Sequence, residues 1–367
     1  MSAHQGLKTE MVADRLRRWI ADSGQPVGAR LPTEAELATR HGVGINTVRR
    51  AVGLLVAEGV AVRRQGSGTY VASVPTGSRR TVGVVVPSTS YYYPKVIEGI
   101  ERALTAARTG VMLASSENRP DLERTQIRRM LGSGVEGLIL VPNLHVADDP
   151  QAHVDALRRL PVPYVLVERR PPRPDPDDPV SFVTTHHLGG VHTAIRHLVS
   201  LGHTRVGFLG RIRTGNSAVV TEGFDRAAAA LGAVAVPEAR VLHEEWTPAQ
   251  IDAYAATCRA AGVTAVFCHG DRDAAALLAA ARRIGLRVPS ELSLVAYDDD
   301  VAELVDPPLT AVAPPRAELG ALAADLLLRL VDDPTTPAHR IELQPRLTVR
   351  GSCAPPRVRR PSARARA

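Results

Sequence analysis

The sequence predicts an α/β protein in two parts: a small N-terminal head of helices closed by a β-hairpin, then a large two-lobed body with parallel sheets. Three observations carry this. The 367 residues are 23% charged and 44% hydrophobic, a globular composition at a length that suits two or three domains. The net charge of +7 is segregated: residues 1–80 hold 12 Lys or Arg against 6 Asp or Glu, and residues 354–367 hold five arginines and no acid, leaving −4 for the 273 residues between. Residues 12–71 carry helical spacing and one short hairpin pattern, whereas from Val82 onward aliphatic runs alternate with helices. A basic module on a mildly acidic body is the pattern of a polyanion-binding head on an ordinary soluble domain. A coding bias toward arginine explains why Lys8 and Lys95 are the only lysines, but not the segregation.

Other classes fall away early. No apolar run approaches the roughly 20 residues of a membrane helix, so no membrane partner is expected. Met1–Glu10 has no apolar core of a secretory signal. Cys258, Cys268 and Cys353 form no CxxC pair, which excludes a disulfide scaffold and a cysteine-rich zinc site and fits a reducing cytoplasm.

In the head, Val12, Leu16, Trp19 and Ile20 form the apolar stripe of a first helix that stops at Ser23-Gly24. Residues 25–32 hold two prolines and a glycine and read as a loop. Thr33-x-x-Glu36 is a capping box and opens a short helix ending at His41-Gly42. After a tight turn, a third helix sets Val48, Val52 and Leu55 on one face and Arg49 and Arg50 on the other, and Glu58-Gly59 closes it. Val60–Val62 and Tyr70–Val71 flank a basic, glycine-rich hairpin turn, residues 63–68. This is a winged helix-turn-helix: the short helix and turn set the next helix across the duplex, and the wing glycines let backbone pass close to phosphate.

Residues 31–71, LPTEAELATRHGVGINTVRRAVGLLVAEGVAVRRQGSGTYV, resemble the GntR family of bacterial regulators, with LPxExxLA, TVRRA, EG and QGSGTYV in register. The resemblance reaches back to about Lys8. It implies double-stranded operator DNA as partner, with Thr33, Asn46, Thr47, Arg49, Arg50, Gln65, Gly66 and Ser67 as candidate contacts; Thr33 also reads as a helix cap and Arg50 as a solvated residue. The family carries Arg where this chain has Ala35, and Ser-Arg where it has Gly44-Ile45, so the usual operator sequence is not expected.

The body opens on the aliphatic run Val82–Val86, as a strand buried on both faces requires. Helices (95–107, 122–131, 151–160) then alternate with strands (111–115, 137–141, 162–167), which is βαβ repetition with right-handed crossovers. Residues 161–179 contain seven prolines, which interrupts the pattern before it restarts at Phe182. Helices follow at 189–201, 223–231, 249–261, 274–284 and 318–330, with strands at 206–210, 265–268, 292–296 and near 341–343. The expected domains are the head at 8–72, a linker at 73–80, a two-lobed body at 81–353 with chain crossings near 168–180, 297–300 and 312–316, and a basic, disordered tail at 354–367.

Segments such as VGVVVPSTSYYYPKVIEGIERAL (82–104), HLVSLGHTRVGFLG (197–210) and GLRVPSELSLVAYDDD (285–300) resemble the sensor domain of the LacI family, which is like periplasmic binding proteins. The resemblance implies a cleft for a sugar-like effector. Tyr92, Tyr93, Asp271 and Asp298 match its ligand positions, and Arg169 and Asn216 are further candidates, with Arg211 and Arg213 as other nearby donors. Val220, Thr185 and Gly270 replace a usual Arg, Asp and Asn.

The run Gly132–Gly137 spells GxGxxG but follows a helix and precedes a strand, the reverse of a dinucleotide site. The histidines between 186 and 203 form no HExxH, and Asp298-Asp299-Asp300 point apart as adjacent residues do, so no metal, cofactor or catalytic centre is expected. The expected function is a ligand-responsive DNA-binding transcriptional regulator, a homodimeric repressor released by a small metabolite. Co-repression, a solute-binding protein and an α/β enzyme stand as alternatives.

Overall fold

The computed structural model describes residues 3–23, 25–73, 80–173 and 175–356. Most of the expected linker and residues 357–367 of the expected tail lie outside the described residues. The chain divides into two compact units, Met1–Arg80 and Thr81–Ala367.

In the first unit, α1 (Ala3–Asp22), α2 (Glu34–His41) and α3 (Ile45–Ala57) precede β1 (Ala61–Arg64) and β2 (Gly68–Val71). The α2 capping box is complete: the Thr33 hydroxyl accepts from the Glu36 N–H, and the Glu36 carboxylate accepts from the Thr33 N–H at 2.7 Å. Gly42, at φ 63°, ends α2 in the left-handed conformation that glycine adopts without penalty. Val48, Ala51, Val52 and Leu55 of α3 pack on Val12, Leu16 and Ile20 of α1 in one closed core. β1 and β2 pair antiparallel, with Arg64 opposite Gly68.

The second unit holds two six-stranded sheets. The first lobe carries β3 (Thr81–Val86), α4 (Tyr93–Ala106), β4 (Gly110–Ser115), α5 (Pro120–Gly132), β5 (Gly137–Leu140), α6 (Pro150–Leu157), β6 (Tyr164–Val167) and β7 (Ser181–Thr185). The second carries α7 (His187–Ser200), β8 (Arg205–Arg211), α8 (Ser217–Leu231), β9 (Val234–His243), α9 (Pro248–Ala260), β10 (Ala265–Cys268), α10 (Asp271–Arg283), β11 (Ser293–Tyr297) and β12 (Thr310–Ala313). The chain then returns through α11 (Arg316–Asp332) and β13 (Arg340–Leu343) to the first lobe and ends with β14 (Arg346–Thr348) in the second. The sheet orders are β13-β7-β6-β5-β3-β4 and β14-β12-β11-β10-β8-β9. All pairings are parallel except β12 with β14. Aliphatic clusters cover both faces of each sheet, as parallel sheets require.

This order corrects two expected crossings. The proline-rich segment near 168–180 does not leave the first lobe: β6 and β7 are parallel neighbours, Val165 opposite Ser181. Prolines break strands, but here they only widen a loop that returns to the same sheet. Segment 297–300 joins β11 to its own neighbour β12 and stays in the second lobe. The chain passes between sheets at residue 186, at 314–315 and at 344–345. Three strands had no sequence signal. β9 contains Pro237 and shifts register against β8 between Val206 and Phe208; β12 is hemmed by Pro308 and Pro314; β14 is three residues long.

The first lobe is locked by two glycines. A Cβ on Gly99 of α4 would lie 1.9 Å from the Ala317 carbonyl oxygen, and one on Gly320 of α11 would lie 2.0 Å from the Val96 oxygen. The two helices therefore cross backbone against backbone. Gly320→Ala forces them apart and should destabilise the sensor by about 1–3 kcal/mol. Urea denaturation checks this; an unchanged midpoint contradicts the close crossing.

Candidate DNA interface and ligand cleft

On the head, α3 presents Asn46, Arg49 and Arg50 to solvent, with Thr47 half-buried. Gln65, Gly66 and Ser67 are exposed at the hairpin tip, where Gly66 has φ 72°. The Thr33 hydroxyl is engaged in its cap. Glu34, the acid of the LPxExxLA motif but not among the candidate contacts, accepts from Arg49 Nε at 3.0 Å and from Arg63 at 3.3 Å. It ties α3 to the wing, so both basic groups are presented by one scaffold. Arg64 lies 4.5 Å from the centre of the Tyr70 ring, and the Tyr70 hydroxyl meets Ser67 Oγ at 2.5 Å. Ile45, in the place of the family's arginine, is 43% exposed at the first turn of α3.

Between the lobes lies a cavity of about 690 Å³. Loops after β3, β5 and β6 line one wall; loops after β8, β10 and β11, with the start of α7, line the other. This is where ligands bind in open parallel sheets, beyond the carboxyl ends of the strands. Among the described residues seven non-glycine residues have positive φ, and five of them (Tyr91, Asn118, Glu168, Arg213 and Asp298) line this cavity. Strained backbone of that kind gathers at binding sites.

Of the candidates, Tyr92, Tyr93, Arg169, Asn216 and Asp298 line the cavity; Asp271 does not. Asp271 is fully buried at the start of α10. Its Oδ2 accepts from the N–H groups of Asp300 and Val301, each at 2.6 Å, and its Oδ1 accepts from the Tyr91 hydroxyl at 2.8 Å. Val220, set where the family has its arginine, is buried in the second-lobe core behind the site. The Thr185 hydroxyl donates to Glu168 Oε1 at 2.6 Å.

The sequence reading missed the residues that join the lobes. Tyr91, first of three tyrosines, reaches across to Asp271 and also lies 3.3 Å from Asp298 Oδ2. Glu168 is buried and accepts from Tyr92, from Thr185 and from His187 Nε2 at 3.4 Å. The other nitrogen of His187 meets the Tyr297 hydroxyl at 2.7 Å, so this ring spans from a first-lobe acid to a second-lobe phenol. Burial raises Glu168, but the His187 imidazole and the two hydroxyls outweigh it and hold its carboxyl down near about 2. His269 Nδ1 accepts the Arg211 N–H at 3.2 Å, which leaves Nε2–H to donate to Asn216 Oδ1 at 3.0 Å. Asn216 also accepts from Thr214, so its amide N–H groups remain for the cleft. Arg211 grips Asp273 through two bonds of 2.6 and 2.9 Å.

Asp298 stands apart. Burial, then the neighbouring Asp271 carboxylate, push its carboxyl up to about 7, against the opposing pull of Arg316. The Tyr91 hydroxyl has one hydrogen and two acids beside it; a proton on Asp298 completes the second contact. Asp298 Oδ1 is buried without a partner. Such an atom in a cavity wall costs free energy unless something enters to bond it.

A basic helix-turn-helix head and a hinged two-lobed cleft on one chain define a one-component transcription regulator. The family model for bacterial regulatory proteins of the gntR family matches residues 8–71, and that for periplasmic binding protein-like domains matches residues 195–353. The arabinose metabolism transcriptional repressor of Geobacillus stearothermophilus is 28% identical over 358 residues, 91% of this chain and 94% of its own. The transcriptional regulator MalR of Streptomyces coelicolor is 32% identical over 285 residues, 76% of this chain and 81% of its own. The solved complex of the transcriptional regulator CelR with cellobiose aligns at TM-score 0.64 and 26% identity, covering 88% of this chain and 100% of that one. The chain belongs to the bacterial transcription regulators that join a GntR-family DNA-binding domain to a LacI-type, periplasmic-binding-protein-like sensor. It is a ligand-responsive DNA-binding regulator. No helix among the described residues is long and apolar enough to cross a membrane.

The Asp298 shift has a consequence for stability. Its folded value, about 7, lies above the ordinary 3.8, so its contribution is present at low pH and is lost as pH rises through 7. Asp298→Asn keeps the shape without the charge. The melting temperature of the variant relative to the natural protein should therefore rise from about pH 4 to about pH 7 and level off above it, with the two closest at or below pH 4. Taking that difference removes the opposing titrations of His145 and His269, which burial pushes down to about 4 and about 3. Parallel melting curves across the range contradict the burial of a shared proton here.

Proposed function

We propose that this chain is a repressor that a sugar-like metabolite releases from its operator, acting as a homodimer in the cytoplasm on a near-palindromic site. The observation that carries this is the Tyr91 bridge: the hydroxyl that joins the lobes lies between two buried acids, of which Asp298 lines the cavity, so an entering hydroxylated ligand competes with or completes the same contacts that set lobe closure. Lobe closure then alters the spacing of two heads, and ligand and operator are thermodynamically coupled. The repressor and sugar roles follow the relatives, among them the arabinose repressor and the cellobiose-bound regulator. Two heads are needed because one α3 with few cationic contacts holds a specific site weakly; a dimer places two recognition helices one turn of duplex apart.

On DNA, Thr47, Arg49, Arg50 and the wing residues Gln65 to Ser67 form the contact face, and Ile45 supplies an apolar contact suited to a thymine methyl group. The operator is obtained by selecting duplexes from a random library with the full-length protein. Arg49→Ala should then weaken binding to that duplex by about 1–3 kcal/mol if the guanidinium reads a base edge. A gel-shift titration with no change sinks the recognition-helix assignment. Release or tightening of that duplex by a sugar tests the whole reading, and full indifference to sugars of every class overturns it.

A further inference from the structure

Among the described residues, the cleft holds one buried cation without an anionic partner. Four arginines line the cavity. Arg211 is saturated by Asp273. Arg272 lies 4.1 Å above the Tyr91 ring and 3.8 Å from Asp300. Arg213 pairs with Glu244 at 3.3 Å, with both side chains more than half exposed. Arg169 is different: it is 9% exposed, and among the described residues no carboxylate lies within ion-pair distance of it. Its Nη1 donates to the carbonyl of Glu168 at 2.6 Å, the Tyr93 hydroxyl lies beside the guanidinium, and its Nε is buried with no partner. The Glu168 carboxylate next to it in sequence turns away to Tyr92, Thr185 and His187.

The guanidinium also reaches the opposite lobe. A Cβ on Gly215 would lie 1.8 Å from Arg169 Nη2, so the absence of a side chain at 215 makes the space this group fills. His145 stands beside it with Nδ1 buried and unpartnered. Burial first, then the positive charges of Arg169 and Arg213, push His145 down to about 4, so the imidazole stays neutral at this basic end of the cavity. The opposite polarity gathers at Asp298, whose free oxygen accepts a hydroxyl. A buried charge without a counter-charge is costly, and a ligand that supplies the anion removes that cost.

We propose that the effector is an anionic sugar derivative, carrying one carboxylate or phosphate that pairs with Arg169 across the lobes while its hydroxyls reach Asp298 and Asn216. This rests on the reading of the chain as a sugar-responsive regulator and narrows it: neutral pentoses and disaccharides lack the group that Arg169 requires. A planar, bidentate guanidinium suits either anion.

The test uses the full-length protein and matched probes: hexuronates, aldonates and aldose phosphates, each beside its neutral parent, at millimolar concentration. Thermal melting and titration calorimetry should show a stabilising member among the anions and a clearly weaker neutral parent. Whether the best probe is an acid or a phosphate identifies the anion. Arg169→Gln should lower affinity for that probe about tenfold or more, and should bring acid or phosphate and parent close together. Arg169→Lys, which keeps the charge but loses the fork, should fall between. Arg213→Gln, at an exposed position of the cavity rim whose guanidinium is already paired with Glu244, should give a smaller loss. A neutral parent that binds as well as its anion, a panel in which no anion binds, or an undiminished Arg169→Gln overturns the proposal. A neutral sugar that binds and shifts operator affinity overturns this inference while leaving the proposed function standing.

Discussion

The sensor depends on where its buried carboxylates find partners, and each lobe supplies partners for the acids of the other. Glu168 belongs to the first lobe but is held by His187, the first residue of the second lobe's α7. Asp271 and Asp298 belong to the second lobe but meet the first-lobe Tyr91 hydroxyl. Buried charges are tolerated only with hydrogen bonds or counter-charges around them. Closing the cleft and satisfying these acids are therefore one event, and opening it exposes them to water instead. That exchange of protein partners for water keeps the cost of opening within reach of a ligand's binding free energy, which a ligand-driven switch requires.

The rest of the body holds those groups in place. The glycine contact between α4 and α11 fixes the helix that starts just after Tyr92. Arg316, at the start of α11, donates to the Asp299 carbonyl at 2.9 Å and lies 5.3 Å from the Tyr92 ring centre, so one residue at a chain crossing touches both walls. Arg350, two residues past the last strand, grips Asp299 through bonds of 2.8 and 2.9 Å and steadies the same loop. In the head, Glu34 plays a similar organising part between α3 and the wing.

The head was legible almost residue by residue, because caps and helical periods are local. The Thr33–Glu36 box and the Val48, Val52 and Leu55 stripe needed no tertiary information. The alternation of the body was equally plain, since aliphatic runs such as Val82–Val86 signal strands buried on both faces. The chain crossings were not. Seven prolines between 161 and 179 suggested a passage between lobes, whereas strand order is a long-range property and placed β7 beside β6. The site was half legible. Tyr92 and Tyr93 stood out by family position, but the hydroxyl that crosses the cleft is that of Tyr91, set by a left-handed backbone at φ 61° that no pattern announces. Glu168 and His187 are far apart in function until the hinge brings them together, and neither carries a motif.

The most direct test of this reciprocity is the distance between the lobes, measured by pulsed electron resonance on spin labels at Arg102→Cys in α4 and Arg226→Cys in α8, both 68% exposed. Cys258 and Cys268 are buried, and Cys353→Ser removes the one partly exposed thiol. With Tyr91 intact, the ligand-free protein should give a narrow distribution dominated by the closed distance. Tyr91→Phe deletes the one hydroxyl that both second-lobe acids face, and should broaden the distribution and shift it toward a more open form. Superimposable distributions for the two proteins would contradict the account.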